Sequence, residues 1–198
     1  MTTMVFKFRP LSKLRDVILI EPSTFNDERG WFREEYKRSD FANHGIDCDF
    51  AQDNRSYTRS RGTIRGLHFQ KAPEAQGKLV SCFAGEVFDV SVDIRKGSPA
   101  YASWEAVILS AENHNALWVP PGFAHGFQTL ANDTVVAYKV TAEYSKANER
   151  CIRWNDPGLK IEWPIKNPIL SVKDAQAPTL SEVDNNFEWQ RAKSQDAT

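Results

Sequence analysis

Short runs of apolar and β-branched residues alternate with clusters of Gly, Pro, Asn and Asp along most of the chain. Examples of these turn signals are Gly-Ser-Pro at residues 97–99 and Pro-Pro-Gly at residues 120–122. Runs bounded in this way predict strands, here at residues 17–20, 78–84, 86–94, 104–109, 116–119, 123–130 and 134–141. Helical patterning is confined to residues 37–44 and to the segment after Lys173. The pattern predicts an all-β sandwich or barrel with short peripheral helices.

Alternation within these strands indicates which polar side chains point inward. Tyr138 shares a strand face with Val136 and Val140, which predicts that the phenol lies inside the barrel. Lys78 shares a face with Val80, an unusual setting for a solvated lysine. Both polar residues are therefore candidates for an interior site.

The segment around His68 contains a second possible irregularity. Arg65 lies three residues before His68, so strict alternation would place the two side chains on opposite faces of a strand. Gly66 lies between them and could mark a bulge that turns one of them back. The alternation alone leaves both arrangements open.

Length and composition predict a single globular domain. The chain has 198 residues, 41% of them hydrophobic, which supports one substantial core. We expect the domain to span residues 1–198, with its core at about 15–180 and a polar, loose tail at about 185–198.

Charge and cysteine usage restrict the partners and the compartment. A net charge of −1 provides no global field for nucleic acid or an anionic membrane, so any anion site must be a local cluster. No apolar run is long enough for a signal peptide or a membrane span. Cys48, Cys82 and Cys151 are widely spaced and form no CxxC pair, which favours a reducing cytoplasm.

General acid–base catalysis fits the candidate residues best. The four histidines form no His-x-His pair, and no Gly-x-Ser-x-Gly elbow is present, so metal and serine-hydrolase chemistry are disfavoured. His68 is the natural base near neutral pH, with Lys78 as a cationic stabiliser and Tyr138 as an acid. Asp174 is a candidate to orient His68, although its spacing alone also suits a solvated loop residue.

Ordered motifs along most of the chain, from about Glu21 to Pro178, resemble one known family. They lie at residues 25–30, 52–54, 65–69, 76–80, 85–90, 121–127, 138–139 and 171–174. In this order they resemble the dTDP-4-dehydrorhamnose 3,5-epimerases of deoxysugar biosynthesis. The resemblance implies a cupin-type jelly-roll barrel (a double-stranded β-helix), a homodimer, and no metal or organic cofactor.

The resemblance also implies the reaction and the residues that perform it. The substrate is dTDP-4-dehydro-6-deoxy-D-glucose, epimerised at C3 and C5 to dTDP-4-dehydro-L-rhamnose through an enolate. His68 would be the base and Asp174 its partner, Lys78 would stabilise the enolate oxygen, and Tyr138 would be the acid on the opposite face. The contacts to the sugar and diphosphate would be Arg65, His125, Gln52 and Asn54. The nucleotide contacts would be Phe25, Arg29, Glu34 and Tyr144, with the segment from Phe25 to Glu34 reaching into the neighbouring subunit's site.

Three other functions remain open at this stage. A relative that acts at C3 alone or C5 alone, or on another nucleotide-linked 4-ketosugar, would use the same residues. A non-catalytic sugar-nucleotide-binding barrel would have no need of the set formed by His68, Lys78 and Tyr138. A metal-dependent cupin oxygenase would need more metal ligands than the motifs supply.

Overall fold

The computed structural model describes residues 5–190. Its elements in chain order are β1 (Phe6–Pro10), β2 (Ile18–Pro22), β3 (Phe25–Asp27), β4 (Gly30–Phe32), α1 (Arg38–Ala42), β5 (Gln52–Thr58), β6 (Ile64–Gln70), β7 (Lys78–Ala84), β8 (Glu86–Asp93), β9 (Trp104–Ser110), β10 (Ala116–Val119), β11 (Phe123–Thr129), β12 (Thr134–Val140), β13 (Glu149–Cys151) and α2 (Val172–Ala175). No helix within residues 5–190 is long and apolar enough to cross a membrane.

Two antiparallel sheets form the barrel. The first has the strand order β1-β2-β10-β7-β12-β5, and the second has the order β13-β6-β11-β8-β9. The crossovers between sheets and the short peripheral helices confirm the predicted jelly roll. The main core between the sheets includes Leu19, Val80, Leu117 and Val136 of the first sheet and Phe127 of the second. Burying these side chains favours folding by about 25 cal/mol for each Å² of apolar surface.

Apolar residues also cover the outer face of each sheet. The five-stranded sheet packs Leu67 and Val92 against Ile152 and Trp163 from the C-terminal part of the chain. The six-stranded sheet packs Ile20 against Phe41 of α1, which is fully buried. The C-terminal segment is thereby held close to β6, the strand that carries His68.

The expected strands are present, with boundaries shifted by no more than one or two residues. The expected core boundary at about residue 15 is too late, because Phe6, Leu11 and Leu14 are buried and β1 forms one edge of the six-stranded sheet. Strand β5 forms the other edge, although its polar sequence predicted no strand.

The expected loose tail is docked as far as the structure describes it. Asn185 is buried and donates a side-chain hydrogen bond to the Ile94 carbonyl oxygen, and Phe187 packs against the outer core. The Trp189 amide donates to the Lys96 carbonyl oxygen. Backbone hydrogen bonds and a partly buried aromatic ring hold residues 185–190 on the barrel. The rest of the expected tail, residues 191–198, lies outside the described residues.

Gly66 marks a bulge in β6. Between His125 and Phe127 of β11, the pairing on β6 moves from His68 to Arg65, so β6 has one extra residue. Gly66 has a φ of +125°, and a Cβ there would lie 2.6 Å from the Gly126 Cα. The backbones approach too closely for any side chain at this position. The bulge resolves the alternation left open by the sequence, because Arg65 and His68 both line the same cavity.

Candidate active site

A cavity of about 400 Å³ lies between the two sheets at one end of the barrel. Strand β6 contributes His68, β7 contributes Lys78, β11 contributes His125 and β12 contributes Tyr138. Asp174 enters from α2, beside β6. Alternation on β7 and β12 correctly placed Lys78 and Tyr138 inside the barrel.

His68 and Asp174 form a close pair. The His68 Nε2 lies 2.6 Å from Oδ1 of Asp174, which is nearly fully buried. Burial lowers the pKa of His68, and this effect outweighs the opposing influence of Asp174. The neutral imidazole is therefore favoured near neutral pH. Because a carboxylate only accepts hydrogen bonds, Nε2 carries the proton and Nδ1 keeps its lone pair.

Asp174 is held by more than His68. Its Oδ2 accepts a hydrogen bond from the Ser171 hydroxyl at 2.8 Å, and its Oδ1 accepts from the Cys151 thiol at 3.4 Å. Burial alone would raise the pKa of Asp174, but the hydrogen bonds and the proximity of His68 outweigh it and lower the pKa. Ser171 also caps α2 by accepting from the Asp174 amide. Asp174 is thus a positioned carboxylate and not a solvated loop residue.

Lys78 lies next to this pair. Its ammonium donates a hydrogen bond to the His68 carbonyl oxygen at 3.2 Å, and its side chain is buried. Burial lowers the pKa of Lys78 to about 8, with Asp89 and Glu149 opposing the change. The residue therefore supplies a cation whose charge is easily lost above neutral pH.

Tyr138 reaches the cavity from the six-stranded sheet, opposite the strand of His68. Burial raises the pKa of Tyr138, while the positive charge of Arg65 partly opposes the effect. The phenol therefore stays protonated at neutral pH and can act as a proton donor.

His125 forms a second imidazole–carboxylate pair. Its Nε2 lies 2.8 Å from Oδ1 of Asp89, and both residues are buried. The Asp89 Oδ2 has no hydrogen-bond partner within residues 5–190. The sequence indicated His125 but not Asp89; a lone carboxylate inside the apolar run of β8 was the available signal.

The remaining polar candidates lie around the cavity mouth. Arg65 lines the cavity and is anchored by donating to the Thr58 hydroxyl at 3.0 Å. Gln52, Asn54 and Tyr144 line an adjoining cleft of about 130 Å³, which shares His68, Lys78 and Tyr138 with the main cavity. Gln52 accepts from the Tyr144 amide and donates to Asn54, so these polar groups are ordered before any ligand binds.

Three candidates lie apart from this cavity in the single chain. Phe25 belongs to the β3–β4 hairpin, Arg29 lies in its turn, and Glu34 follows it; none of them lines either space. The Arg29 side chain is 85% exposed and pairs with Asp27. Trp31 and Phe32 on the same hairpin are also exposed.

One group of three side chains has the composition of a metal site. His68, Cys151 and Asp174 each offer a ligand atom, and these atoms lie within 4.8 Å of one another. Neither Cys151 nor Ser171 was singled out as a site residue from the sequence, because their proximity to His68 depends on the docking of the C-terminal segment.

Proton transfer at a substrate carbon requires a base, a stabilising charge and an acid in one enclosed space. The cavity brings candidates for all three together, and with the jelly-roll barrel it defines the class of cupin-type epimerases. A family model described as dTDP-4-dehydrorhamnose 3,5-epimerase matches residues 12–182. The chain belongs to this family.

Individual relatives agree with this assignment. The chain is 48% identical over 183 residues to a dTDP-4-dehydrorhamnose 3,5-epimerase of Sinorhizobium fredii, covering 92% of this chain and 93% of the relative. A Legionella pneumophila dTDP-6-deoxy-D-glucose-3,5-epimerase, solved with dTDP-4-keto-L-rhamnose, has a TM-score of 0.89 and 42% identity and covers 94% of this chain and 100% of its own. A 3′-monoepimerase of Streptomyces bikiniensis, solved with dTDP-quinovose, has a TM-score of 0.82 and 35% identity, with 87% of each chain covered.

Proposed function

We propose that the chain epimerises dTDP-4-dehydro-6-deoxy-D-glucose at C3 and C5, giving dTDP-4-dehydro-L-rhamnose. One observation carries the proposal: the His68–Asp174 pair, Lys78 and Tyr138 converge on a single cavity of about 400 Å³. The relatives named for this reaction support the choice of substrate.

The first step is removal of a proton from the carbon next to the C4 ketone. The pKa of such a proton is roughly ten or more units above that of imidazole, and this gap corresponds to about 14 kcal/mol or more. His68 Nδ1 is the base in this proposal, and Asp174 stabilises the resulting imidazolium through its contact with Nε2. Lys78 lowers the barrier by placing an ammonium near the enolate oxygen in a site of low dielectric constant.

The second step returns a proton to the opposite face of the same carbon. Tyr138 is the acid in this proposal, because its phenol lies on the opposite sheet from His68 and stays protonated. Reprotonation restores the C4 ketone after each epimerisation, so the same groups serve C3 and C5 when the sugar ring turns between the two steps.

Anion recognition is assigned to the groups at the cavity mouth. Arg65 offers a guanidinium held by Thr58, and His125, which is more buried than Arg65, is assigned to the sugar. Gln52, Asn54 and Tyr144 extend this surface through the adjoining cleft. A nucleotide-linked sugar matches this arrangement, with the ketosugar enclosed and the diphosphate toward the open side.

The direct test is NMR of dTDP-4-keto-6-deoxyglucose with the purified protein in D₂O. Deuterium at both C3 and C5, together with the L-configured product, supports the proposal. Exchange and inversion at C3 alone would favour the monoepimerase alternative, which the similarity to the Streptomyces bikiniensis structure keeps in view. If neither C3 nor C5 exchanged its proton, the 3,5-epimerase proposal and the monoepimerase alternative would both be contradicted.

The role of Tyr138 has its own test. In Tyr138→Phe, deprotonation by His68 should continue while reprotonation from the far face slows. The variant should therefore incorporate deuterium at a carbon faster than it inverts that carbon, as followed by NMR. Equal losses of exchange and inversion would instead assign Tyr138 to positioning the sugar.

The exposed β3–β4 hairpin supports a dimer with shared active sites. Trp31 and Phe32 are 56% and 67% exposed, and Arg29 lines neither the main cavity nor the adjoining cleft of its own chain. An apolar pair beside charged residues suits an interface, where Arg29 would contact the nucleotide in the partner's cavity. Phe25 and Glu34 are assigned to the same contact.

Subunit complementation tests this arrangement. His68→Ala and Arg29→Ala should each be inactive as homodimers, but co-refolded mixtures should recover activity. Mixing makes about half of the dimers heterodimeric, and in a twofold dimer each of these has one intact site. Folded mixed dimers that remain inactive would show that Arg29 is not shared.

The unpaired Cys48, Cys82 and Cys151 fit our inference of a reducing cytoplasm for this enzyme.

A further inference from the structure

The His68–Asp174 pair has a third neighbour that epimerisation does not use. Cys151, in β13, is buried, and its thiol lies 3.4 Å from the Oδ1 of Asp174 that also contacts His68. Strand β13 pairs with β6 so that Cys151 is directly opposite His68. An imidazole, a thiol and a carboxylate therefore meet at one oxygen atom.

The distances suit a small tetrahedral metal ion. Zinc bonds of roughly 2.0–2.3 Å at tetrahedral angles separate neighbouring ligand atoms by about 3.4 Å. The Cys151 Sγ and Asp174 Oδ1 are 3.4 Å apart already. His68 Nε2 and Asp174 Oδ1 are 2.6 Å apart, so a metal replacing the proton between them requires less than about 1 Å of widening.

The ligand set also selects the metal and leaves one position open. Thiolate, imidazole and carboxylate together favour Zn²⁺ over hard cations such as Mg²⁺. Because His68 and Asp174 line the cavity, the fourth position faces the space where substrate would bind. Three protein ligands with one open position form an accessible zinc site.

The metal and its three ligands would be electrically neutral overall. The thiolate and the carboxylate balance the two charges of Zn²⁺. Burial raises the pKa of the Cys151 thiol to about 12, with Asp174 also contributing, so the metal must displace the thiol proton to solvent. Nearby Lys78 opposes a second cation, while Lys173 is paired with Glu149.

Metal binding would change which nitrogen of His68 carries a proton. Zinc at Nε2 takes the lone pair of that atom, and the neutral imidazole then holds its proton on Nδ1. Nδ1 is the base in the proposed reaction and would become a donor. We propose that His68, Cys151 and Asp174 form an inhibitory site for Zn²⁺ or a similar thiophilic divalent ion. The inhibition rests on the proposed function, whereas the binding site does not.

Cobalt spectroscopy tests the site without any activity measurement. Metal-free protein titrated with Co²⁺ should develop a near-ultraviolet thiolate-to-cobalt band at one ion per chain, and Zn²⁺ should bleach it. The half-buried Cys48 provides the matched control: Cys48→Ser should keep the band and Cys151→Ser should lose it. Because a buried substitution can impair folding, the titration of Cys48→Ser is the decisive measurement if Cys151→Ser does not fold: the band should persist at one ion per chain, and its loss would contradict the site. Bound Co²⁺ without a thiolate band, or no binding at all, would overturn the proposal.

Inhibition of deuterium exchange provides the second measurement. Zn²⁺ should inhibit the wild-type and Cys48→Ser proteins, and Mg²⁺ should not. In Cys151→Ser the inhibition constant should rise by more than the roughly 10- to 100-fold typical for losing an outer partner of a metal ligand. Chelation of Zn²⁺ by the substrate diphosphate affects all variants equally, so the ratio between them is the readout. An unchanged inhibition constant in folded Cys151→Ser would contradict the site, and inactive protein that still shows the cobalt band would contradict only the proposed function.

Discussion

The histidines of two imidazole–carboxylate pairs line the same cavity, and they differ in how much of the side chain is exposed. His68 and Asp174 are 2.6 Å apart, and the His68 side chain is 29% exposed. His125 and Asp89 are 2.8 Å apart, but the His125 side chain is only 7% exposed. The hydrogen-bond geometry of the two pairs is therefore similar, and what differs is the exposure of the imidazole ring, which favours His68 as the proposed base.

The carboxylates differ as well. Asp174 has hydrogen bonds to both oxygens, from Ser171 and Cys151 in addition to His68, whereas Asp89 relies on His125 alone among residues 5–190. The charge on His68 can therefore change while Asp174 keeps its hydrogen bonds from Ser171 and Cys151. Asp89 has no such support, so its histidine matters more for folding.

Replacing His68 should have the largest effect on catalysis. In His68→Ala, deuterium exchange at both carbons should fall by about 10²–10⁴-fold, because no other group in the cavity has a base role. NMR in D₂O measures the exchange, and dTDP titration should show nearly unchanged nucleotide binding. Near-full turnover would remove His68 from the mechanism.

Replacing His125 should lower stability, in addition to removing its proposed contact with the substrate. His125→Ala leaves the Asp89 carboxylate buried without its donor, and breaking a buried pair costs about 3–5 kcal/mol in the free energy of unfolding. Urea denaturation measures this loss, with His68→Ala as the control that should cost less. If the two variants were equally stable, the contrast between the pairs would be wrong.

The pH dependence of kcat/KM should report the protonation of His68 and of Lys78, which lies next to the His68–Asp174 pair. On the acid side, activity should fall only below the ordinary histidine value of about 6.5, because burial lowers the pKa of His68 and keeps it neutral. On the alkaline side, it should fall above about 8, as Lys78 loses its proton. Each limb should change about tenfold per pH unit, the smallest of the three effects.

Lys78→Arg provides the matched variant for the alkaline limb. A guanidinium does not titrate in this range, so the limb should move to higher pH even if the absolute rate is lower. Tyr138 cannot supply the limb, because burial raises its pKa above its ordinary value of 10.0. A limb that stays near pH 8 in the variant would show that Lys78 is not the titrating group.

Local patterns predicted the parts of the fold that follow simple rules. Strands β7 and β10 match their turn-bounded apolar runs because both are buried between turns. Strand β5 was missed because it is an edge strand whose side chains alternate between the cavity and solvent. Its polar sequence serves the site at the expense of the hydrophobic pattern that normally marks a strand.

The site residues also divide into those that a local pattern predicts and those that depend on contacts between distant parts of the chain. Strand alternation placed Lys78 and Tyr138, since a β-strand fixes the direction of every second side chain. Asp174 was a candidate from the sequence with a solvated loop position left open, and only the family resemblance assigned its role, because its contact with His68 joins positions far apart in the chain. Asp89 and Cys151 were missed, because only the pairing between strands and the docked C-terminal segment bring them to the histidines.

The bulge at Gly66 has a consequence for how this enzyme can change over evolutionary time. The extra residue shifts the alternation of side chains along β6. The register before Gly66 is therefore set independently of the register after it. The proposed anion contact of Arg65 and the proposed proton transfer by His68 are thus on separately registered parts of one strand. Substitutions of Arg65 that suit a different diphosphate-linked sugar can accumulate without disturbing the proposed base, whereas deletion of a single residue at the bulge would return Arg65 to the outer face and abolish that independence.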